Sequence, residues 1–461
     1  MICLWDYTAP LTASVDTKFN DRDTSVALSE LVTGSTFDAP LESLRGRSIL
    51  IATYGQLATA LALIELDGVA RRMVLCTPDL TPEQLAGVAA TAQADTIVLD
   101  MASSVTVPAS LIPYVVAPRP IQKTVERHTS AATEWILLTS GTTGIPKLVV
   151  HSLESLSRKL SPQAAPGMNA IWSTFYDIRR YGGLQIYLRA VLSSSTLVLS
   201  NANEAVLDFL ARAASAGVTH ISGTPSHWRR ALMSGQIAIL KPQYVRLSGE
   251  IADQGVLDNL RTAFPEARIV HAFASTEAGL AFDVHDGLAG FPLTLIDNPS
   301  TDIALKVVDD TLRIRSNRNA TRYLGLTPSV LVSEDGYVDT GDRVELIGDR
   351  YYFRGRVGGV INVGGMKVHP EEVESVLNAD PRVRMSLVRA RRNPITGAVV
   401  VADVVLANPS NVSGATHPET IKDELLESCR RALPAHKVPA ILRFVSALEF
   451  TAAGKLVRPT E

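Results

Sequence analysis

The sequence predicts an α/β protein with a large N-terminal α/β body (parallel sheets and a β-rich subdomain, residues 1–355) and a small mobile α+β C-terminal domain (residues 356–461). Three observations lead to this reading. From residue 47 onward, short apolar runs alternate with helical stretches, as parallel strands joined by covering helices do. Before residue 355 the pattern turns to strand pairs closed by acidic or glycine turns. Two adjacent glycines, Gly358 and Gly359, then separate that body from a new mixture of helix and strand.

The elements follow in order. SILIAT reads as a strand, the stretch to Ala70 as a helix, RMVLC as a strand, Thr81-Pro82-Glu83 as a helix start and DTIVLD as a strand. The alternation resumes with TLVLS, a helix over 203–216, THISG and YVRLSG. ALKVVDDTLRIRS and RVELIGDRYYFRG are strand pairs turning at Asp309-Asp310 and Gly348-Asp349. Beyond the glycine pair come a helix opening at Pro370, strands near 384–390 and 397–406 around the turn Pro394-Ile395-Thr396-Gly397, a helix over 418–431 and the strand ILRFV. That last unit spans roughly 100 residues, within the usual domain range.

Composition narrows the partners. The 461 residues, 46% hydrophobic, can bury a large core, and 44 Lys plus Arg against 47 Asp plus Glu give a net charge of -3. No basic excess points to nucleic acid, so a small molecule is the expected partner. Cys3, Cys76 and Cys429 lie far apart without a CxxC, which suits packed thiols in a reducing compartment. With no signal-peptide pattern and no run of eighteen apolar residues, neither export nor membrane insertion is expected, and a cytoplasmic location is.

Residues 139–147 read TSGTTGIPK directly after the apolar run Trp135-Ile136-Leu137-Leu138. The spacing fails the Walker pattern, and Pro146 would break a following helix. As residues alone, Thr139, Ser140, Gly141, Thr142, Thr143, Gly144 and Lys147 fit either a hairpin wrapping phosphate oxygens or a solvated turn.

This stretch resembles the phosphate-binding loop of the adenylate-forming superfamily, which holds acyl- and aryl-CoA synthetases, peptide-synthetase adenylation domains and luciferases. Further stretches resemble that superfamily in order: Leu247-Ser248-Gly249-Glu250; Ala272-Phe273-Ala274-Ser275-Thr276-Glu277; Tyr337 to Asp342; Gly355-Arg356 with Gly364-Gly365 and Pro370 to Glu374; and Ala453-Gly454-Lys455 with Arg458. Together they cover the chain from about residue 135 to its end.

The resemblance implies roles. ATP would be held by the loop, by Gly249 and Glu250, by Ala272 to Ser275 and by Asp342 and Arg356 at the ribose, with adenine stacked on Phe273 for about 1–3 kcal/mol. Thr276 would bond the α-phosphate and Glu277 would hold Mg²⁺, a hard cation suited to oxygen ligands. Lys455 would be the catalytic cation, bridging carboxylate and α-phosphate in the transition state. Arg180, Tyr181, Gly182, His227 and Gly249 would line the acyl pocket, Gly364 and Gly365 the thiol tunnel, and Gly358 would be the hinge.

Several positions keep two readings. Arg179 and Arg180 could hold a second anion on the substrate, or form a solvated face or a pair with Asp177. His227 could line a pocket or pack in the core. His271 reads as structural. Gly358 stands where the superfamily commonly has Asp or Lys, and Leu148 follows Lys147 where it often has glycine.

The implied activity is an ATP-dependent acid-thiol ligase: a carboxylic acid and Mg-ATP give an acyl-adenylate and pyrophosphate, then coenzyme A displaces AMP. The alternatives are an enzyme loading a separate phosphopantetheinyl carrier protein and a non-catalytic ATP-binding relative. No GxSxG nucleophile elbow competes with this reading.

Overall fold

The computed structural model describes residues 3–8, 17–123, 131–139, 146–158, 160, 170–201, 203–325, 331–393, 397–407, 418–450 and 456–457. Of the stretches read from sequence, residues 140–145, the turn at 394–396 and residues 451–455 and 458 lie outside these.

The alternating half builds two largely parallel sheets. In the seven-stranded sheet, Glu134–Thr139, Arg72–Leu75, Ser48–Ile51, Thr96–Leu99 and Ile112–Val115 run parallel in that spatial order. Lys147–His151 pairs antiparallel with Glu134–Thr139 and takes Arg322–Leu324 on its other side. The eight-stranded sheet runs parallel through Arg268–Ser275, Tyr244–Ser248, His220–Gly223, Ile171–Thr174, Thr196–Leu199 and Lys18–Asn20, with an antiparallel strand at each edge.

The helices Gln56–Leu66 and Tyr181–Leu192 belong to the largest apolar core. All residues of Gln56–Leu66 are buried, which explains its apolar sequence on every side. Its last turn carries two buried acids: Glu65 accepts from the Thr36 N–H and hydroxyl at 2.8 and 2.6 Å, and Asp67, just beyond, accepts from Leu4 N–H and Trp135 Nε1–H at 2.8 and 2.9 Å. Pairing is what allows such groups inside a core. The helix Pro82–Ala92 starts where the sequence placed it, with a capping box between Thr81 and Gln84.

The hairpin region forms a five-stranded antiparallel sheet: Phe291–Pro292, Arg350–Arg356, Val338–Ile347, Thr311–Ser316 and Ile303–Val308. Asp309 and Asp310 take φ of 51° and 60°, the double left-handed turn that suits a two-residue hairpin.

After the short turn Val357–Gly359 the chain forms the hairpin Ile361–Val363 with Met366–Val368 and a sheet of Val383–Asn393, Gly397–Leu406 and Ile441–Phe444. With the helices Pro370–Asn378 and Pro418–Ala432 these strands share a separate apolar core, centred on Val373, Leu377, Leu425 and Leu442. Among the described residues no helix is long and apolar enough to cross a membrane. Cys3, Cys76 and Cys429 are buried, and none of them forms a disulfide.

Candidate active site

The hairpin at the root of the 139–147 loop is joined to the eight-stranded sheet by contacts of His151 and Tyr323. Lys147 pairs with Thr139 at the open end of its hairpin, so the loop between them leaves from a fixed base. Ser140, Gly141, Thr142, Thr143 and Gly144 lie outside the described residues. The Thr139 Oγ1 atom is buried and has no hydrogen-bond partner, a costly state for a hydroxyl unless something else completes it.

The turn carrying Thr276 and Glu277 joins Arg268–Ser275 to Gly279–Val284 in the eight-stranded sheet and is stitched to the other sheet's edge. His151 Nε2 lies 2.7 Å from the Thr276 carbonyl, and Ala320 N–H donates to the Glu277 carbonyl at 2.8 Å. Burial pushes the His151 imidazole down to about 4, so the neutral ring donates through Nε2–H and keeps Nδ1 as the acceptor facing Ser155 Oγ at 3.1 Å. Within the turn, Ala278 N–H donates to Ser275 Oγ at 2.9 Å.

Tyr323, on the edge strand Arg322–Leu324, places its hydroxyl 3.4 Å from Glu277 Oε1, while Lys147 Nζ sits over its ring at 5.2 Å. Burial, reinforced by the Glu277 carboxylate, pushes the Tyr323 hydroxyl up to about 12, so it remains a donor. Neither His151 nor Tyr323 stands out in the sequence. Both are reached through cross-strand contacts that no local motif announces.

Asp342 and Arg356 face each other in the register of the five-stranded sheet. Arg356 Nε is 3.3 Å from Asp342 Oδ1, and Arg356 Nη2–H donates to the Thr340 carbonyl at 2.7 Å. The pairing of Ser248 with Ala272 puts Gly249 and Glu250 beside the strand that leads to Thr276. Gly249 has φ +84°, and Glu250 turns back to accept from Ser226 N–H at 2.9 Å. Phe273 is half-buried, with its ring near-parallel to Phe353 at 5.0 Å and to Phe282 at 5.7 Å. Ala272 is buried, while Ala274 and Ser275 are partly open.

The residues read as an acyl pocket divide. Gly182 and His227 come together on Tyr176, which that reading did not include: a Cβ on Gly182 would lie 3.6 Å from the Tyr176 ring, and His227 meets that ring edge-on at 5.9 Å. His227 stacks on Phe175 at 5.4 Å, its Nδ1 is 3.1 Å from the Thr224 N–H, and burial, helped by Arg230, pushes it down to about 3. It is a neutral, packed group. Tyr181 is buried against His151 at 5.9 Å.

The idea that Arg179 and Arg180 share a substrate anion does not hold for Arg179. That side chain is 1% exposed, bonds both Asp177 oxygens at 2.8 and 2.6 Å and donates to the Thr53 carbonyl, which leaves it no free face. Arg180 pairs with Asp79 at 2.9 Å. Gly364 and Gly365 form an exposed hairpin tip, and Gly358 is exposed, with nothing within 4 Å of where their Cβ atoms would stand. Lys455 lies outside the described residues.

The pattern of the AMP-binding enzyme family matches residues 53–320, and that of the AMP-binding enzyme C-terminal domain matches residues 372–455. The chain belongs to the AMP-binding enzyme family. It is 27% identical over 360 residues to the human mitochondrial acyl-coenzyme A synthetase ACSM2B, covering 70% of this chain but 59% of that relative. The match therefore spans less than two-thirds of the relative's length. The fold agrees with the anthranilate CoA ligase AuaEII in complex with anthranoyl-AMP (TM-score 0.80, 16% identity, 99% and 95% of the two chains covered). It also agrees with o-succinylbenzoate coenzyme A synthetase of Bacillus subtilis in complex with ATP and magnesium ion (TM-score 0.72, 19% identity, 99% and 98% covered).

An AMP-binding enzyme needs groups for phosphate and, where used, a metal. The orphaned Thr139 hydroxyl and the Lys147 ammonium suit phosphate oxygens. Among the described residues no three His, Cys, Asp or Glu gather as a metal cage. The single Glu277 carboxylate still fits magnesium, which is commonly held by one or two carboxylates together with substrate phosphates.

Proposed function

We propose that this chain is an AMP-forming acid-thiol ligase that joins a carboxylic acid to coenzyme A at the expense of ATP. The observation that supports the reading is that Lys147 and Glu277, from two different sheets, both contact Tyr323, which also feels the charge of Arg356 in the Asp342 pair. The relatives named above, a coenzyme A synthetase and two structures holding an acyl-adenylate or ATP, support the same chemistry.

In the first half-reaction the acid's carboxylate oxygen attacks the α-phosphorus and the bond to the bridging oxygen of pyrophosphate breaks. Lys147, Thr139 and the loop between them would hold the polyphosphate, Thr276 would bond the α-phosphate, and Asp342 with Arg356 would fix the ribose. Magnesium bound at Glu277 would neutralise phosphate charge. Lys455 would stabilise the charge that builds as two anions approach. In the second half-reaction the thiol sulfur, its proton released to water, attacks the acyl carbon and AMP leaves. We assign the group around Tyr176, Gly182, His227 and Gly249 to the acid. Residues 356–461 would rotate about Gly358 between the two steps.

The test is acid-dependent ATP–pyrophosphate exchange and coenzyme A thioester formation across aryl, short, long and dicarboxylic acids. Failure of every acid in the panel to support exchange would leave a nucleotide-binding relative instead. Lys455→Ala should lower adenylate formation by orders of magnitude yet largely spare thioester formation from supplied acyl-adenylate, and equal loss of both would sink its role.

A further inference from the structure

We infer that Tyr323 is a positioning residue that orients the Glu277 carboxylate and the Lys147 ammonium toward a common ligand. The inference rests on the proposed metal role of Glu277 and deepens it.

The geometry starts in the strand register. Arg322–Leu324 pairs antiparallel with Lys147–His151, with Tyr323 opposite Val149. Side chains two residues apart on a strand share a face, so Lys147 is the diagonal neighbour of Tyr323, within reach of a long side chain. Its Nζ lies 5.2 Å from the ring centroid, inside cation–π range. The same segment is anchored on both sides: Thr321 N–H donates to the Val150 carbonyl and Ala320 N–H to the Glu277 carbonyl, each at 2.8 Å. The ring is thereby fixed between the two sheets.

From that position the hydroxyl reaches Glu277 Oε1 at 3.4 Å. This is long for a hydroxyl-carboxylate bond, so it aims the carboxylate more than it neutralises it. The phenolic hydroxyl is the donor and the carboxylate oxygen the acceptor in this contact. It occupies one oxygen and leaves the other for a metal, as partners one layer behind a metal ligand do. One side chain thus aligns an anion with its hydroxyl and a cation with its ring face. A solely structural tyrosine would need neither.

The test uses the full chain, α,β-methylene-ATP as a non-reacting nucleotide and Mn²⁺ as a probe read by electron paramagnetic resonance. Tyr323→Phe keeps the ring and should weaken Mn²⁺ binding in the nucleotide complex by about 10-fold, the lower end for losing such a partner. Affinity for the metal-free nucleotide should change less than about 2-fold, because the Lys147 contact survives. In a Glu277→Gln background the Tyr323→Phe change should add nothing. The inference is overturned if Tyr323→Phe binds Mn²⁺ like the parent, or if its loss persists undiminished in the Glu277→Gln background. Should Glu277→Gln itself leave Mn²⁺ binding intact, the metal role of Glu277 falls and this inference with it. Loss in Glu277→Gln but not in Tyr323→Phe removes the positioning role alone.

Discussion

His151 and Thr276, 125 residues apart, meet through a 2.7 Å hydrogen bond from an imidazole nitrogen to a backbone carbonyl. The bond ties the hairpin at the root of the 139–147 loop to the turn that carries Glu277. His151→Ala should therefore lower kcat/KM for ATP in pyrophosphate exchange by about 10-fold, or about 1.4 kcal/mol. The change would come from the loosened turn, since the histidine is neutral and buried. Exchange kinetics at pH 7.5 check this, and an unchanged value would mean that the Thr276 turn is held by its other contacts.

The same histidine predicts a pH dependence of stability. Its folded value of about 4 lies below the unfolded 6.5, so its contribution is present above pH 6.5 and is lost as pH falls toward 4. The span corresponds to about 3 kcal/mol. Denaturant unfolding at pH 7.5 and 4.5 should show the parent losing more stability than His151→Gln does.

Thr139 offers a cleaner separation of stability from function. Its Oγ1 is buried without a partner, so Thr139→Val removes an orphaned hydroxyl at nearly constant shape. Such a replacement is close to neutral or stabilising. The melting temperature should hold or rise while the KM for ATP increases several-fold. A lower melting temperature with unchanged KM would give the hydroxyl a structural role.

How much of this was legible in the sequence depended on the range of the signal. The hairpin at Asp309-Asp310 and the capped helix Pro82–Ala92 follow from residues a few positions apart, and both were read correctly. The strand Lys18–Asn20 beside Thr196–Leu199 was not, because three residues carry no periodicity and their partner lies at the far end of the body. More than one parallel sheet was expected, but which strand enters which sheet was hidden for the same reason: parallel strands look alike whichever sheet they enter. At the site, Asp342 and Arg356 came from recognisable motifs and their register brings them face to face. Tyr323 and His151 act through contacts between distant segments. For Arg179 the sequence left two readings open, and the structure takes the pair with Asp177 two residues away, which spends its charge.

Two adjacent glycines predict unequal responses. A Cβ on Gly183 would stand 2.2 Å from the Asp177 carbonyl oxygen, whereas on Gly182 it would stand 3.6 Å from the Tyr176 ring. Alanine in a helix gains about 1 kcal/mol over glycine, which a backbone clash of this depth outweighs. Gly183→Ala should lose about 3 kcal/mol by denaturant unfolding, and Gly182→Ala less than about 1 kcal/mol. Equal stabilities would mean that the helix start can shift away from Asp177.

Asp67 should act over nearly the same pH window as His151 with the opposite sign. Burial, only partly offset by bonds from Leu4 and Trp135, raises its carboxyl from 3.8 to about 6. The folded value is above the unfolded one, so its stabilising contribution is present below pH 3.8 and disappears as pH rises through 6. Relative to Asp67→Asn, which cannot titrate, the parent should lose about 3 kcal/mol between pH 4 and pH 7. Paired unfolding curves at the two values measure it, and parallel curves would show the carboxylate to be satisfied when charged.

Gly358 allows the proposed pivot to be tested without disturbing a core. It is exposed within the short turn Val357–Gly359, and nothing lies within 4 Å of its added Cβ. Gly358→Ala should therefore leave stability and both half-reactions near parental values, since space is free and its φ is not left-handed. Gly358→Pro differs, because proline locks its own φ and drives Val357 out of helical dihedrals. If the chain must pivot here, the proline variant should retain at most one half-reaction, measured as pyrophosphate exchange against thioester formation from supplied acyl-adenylate. Loss of one with the other intact would also tell which arrangement proline favours. Both running normally would move the pivot elsewhere in the 356–461 junction.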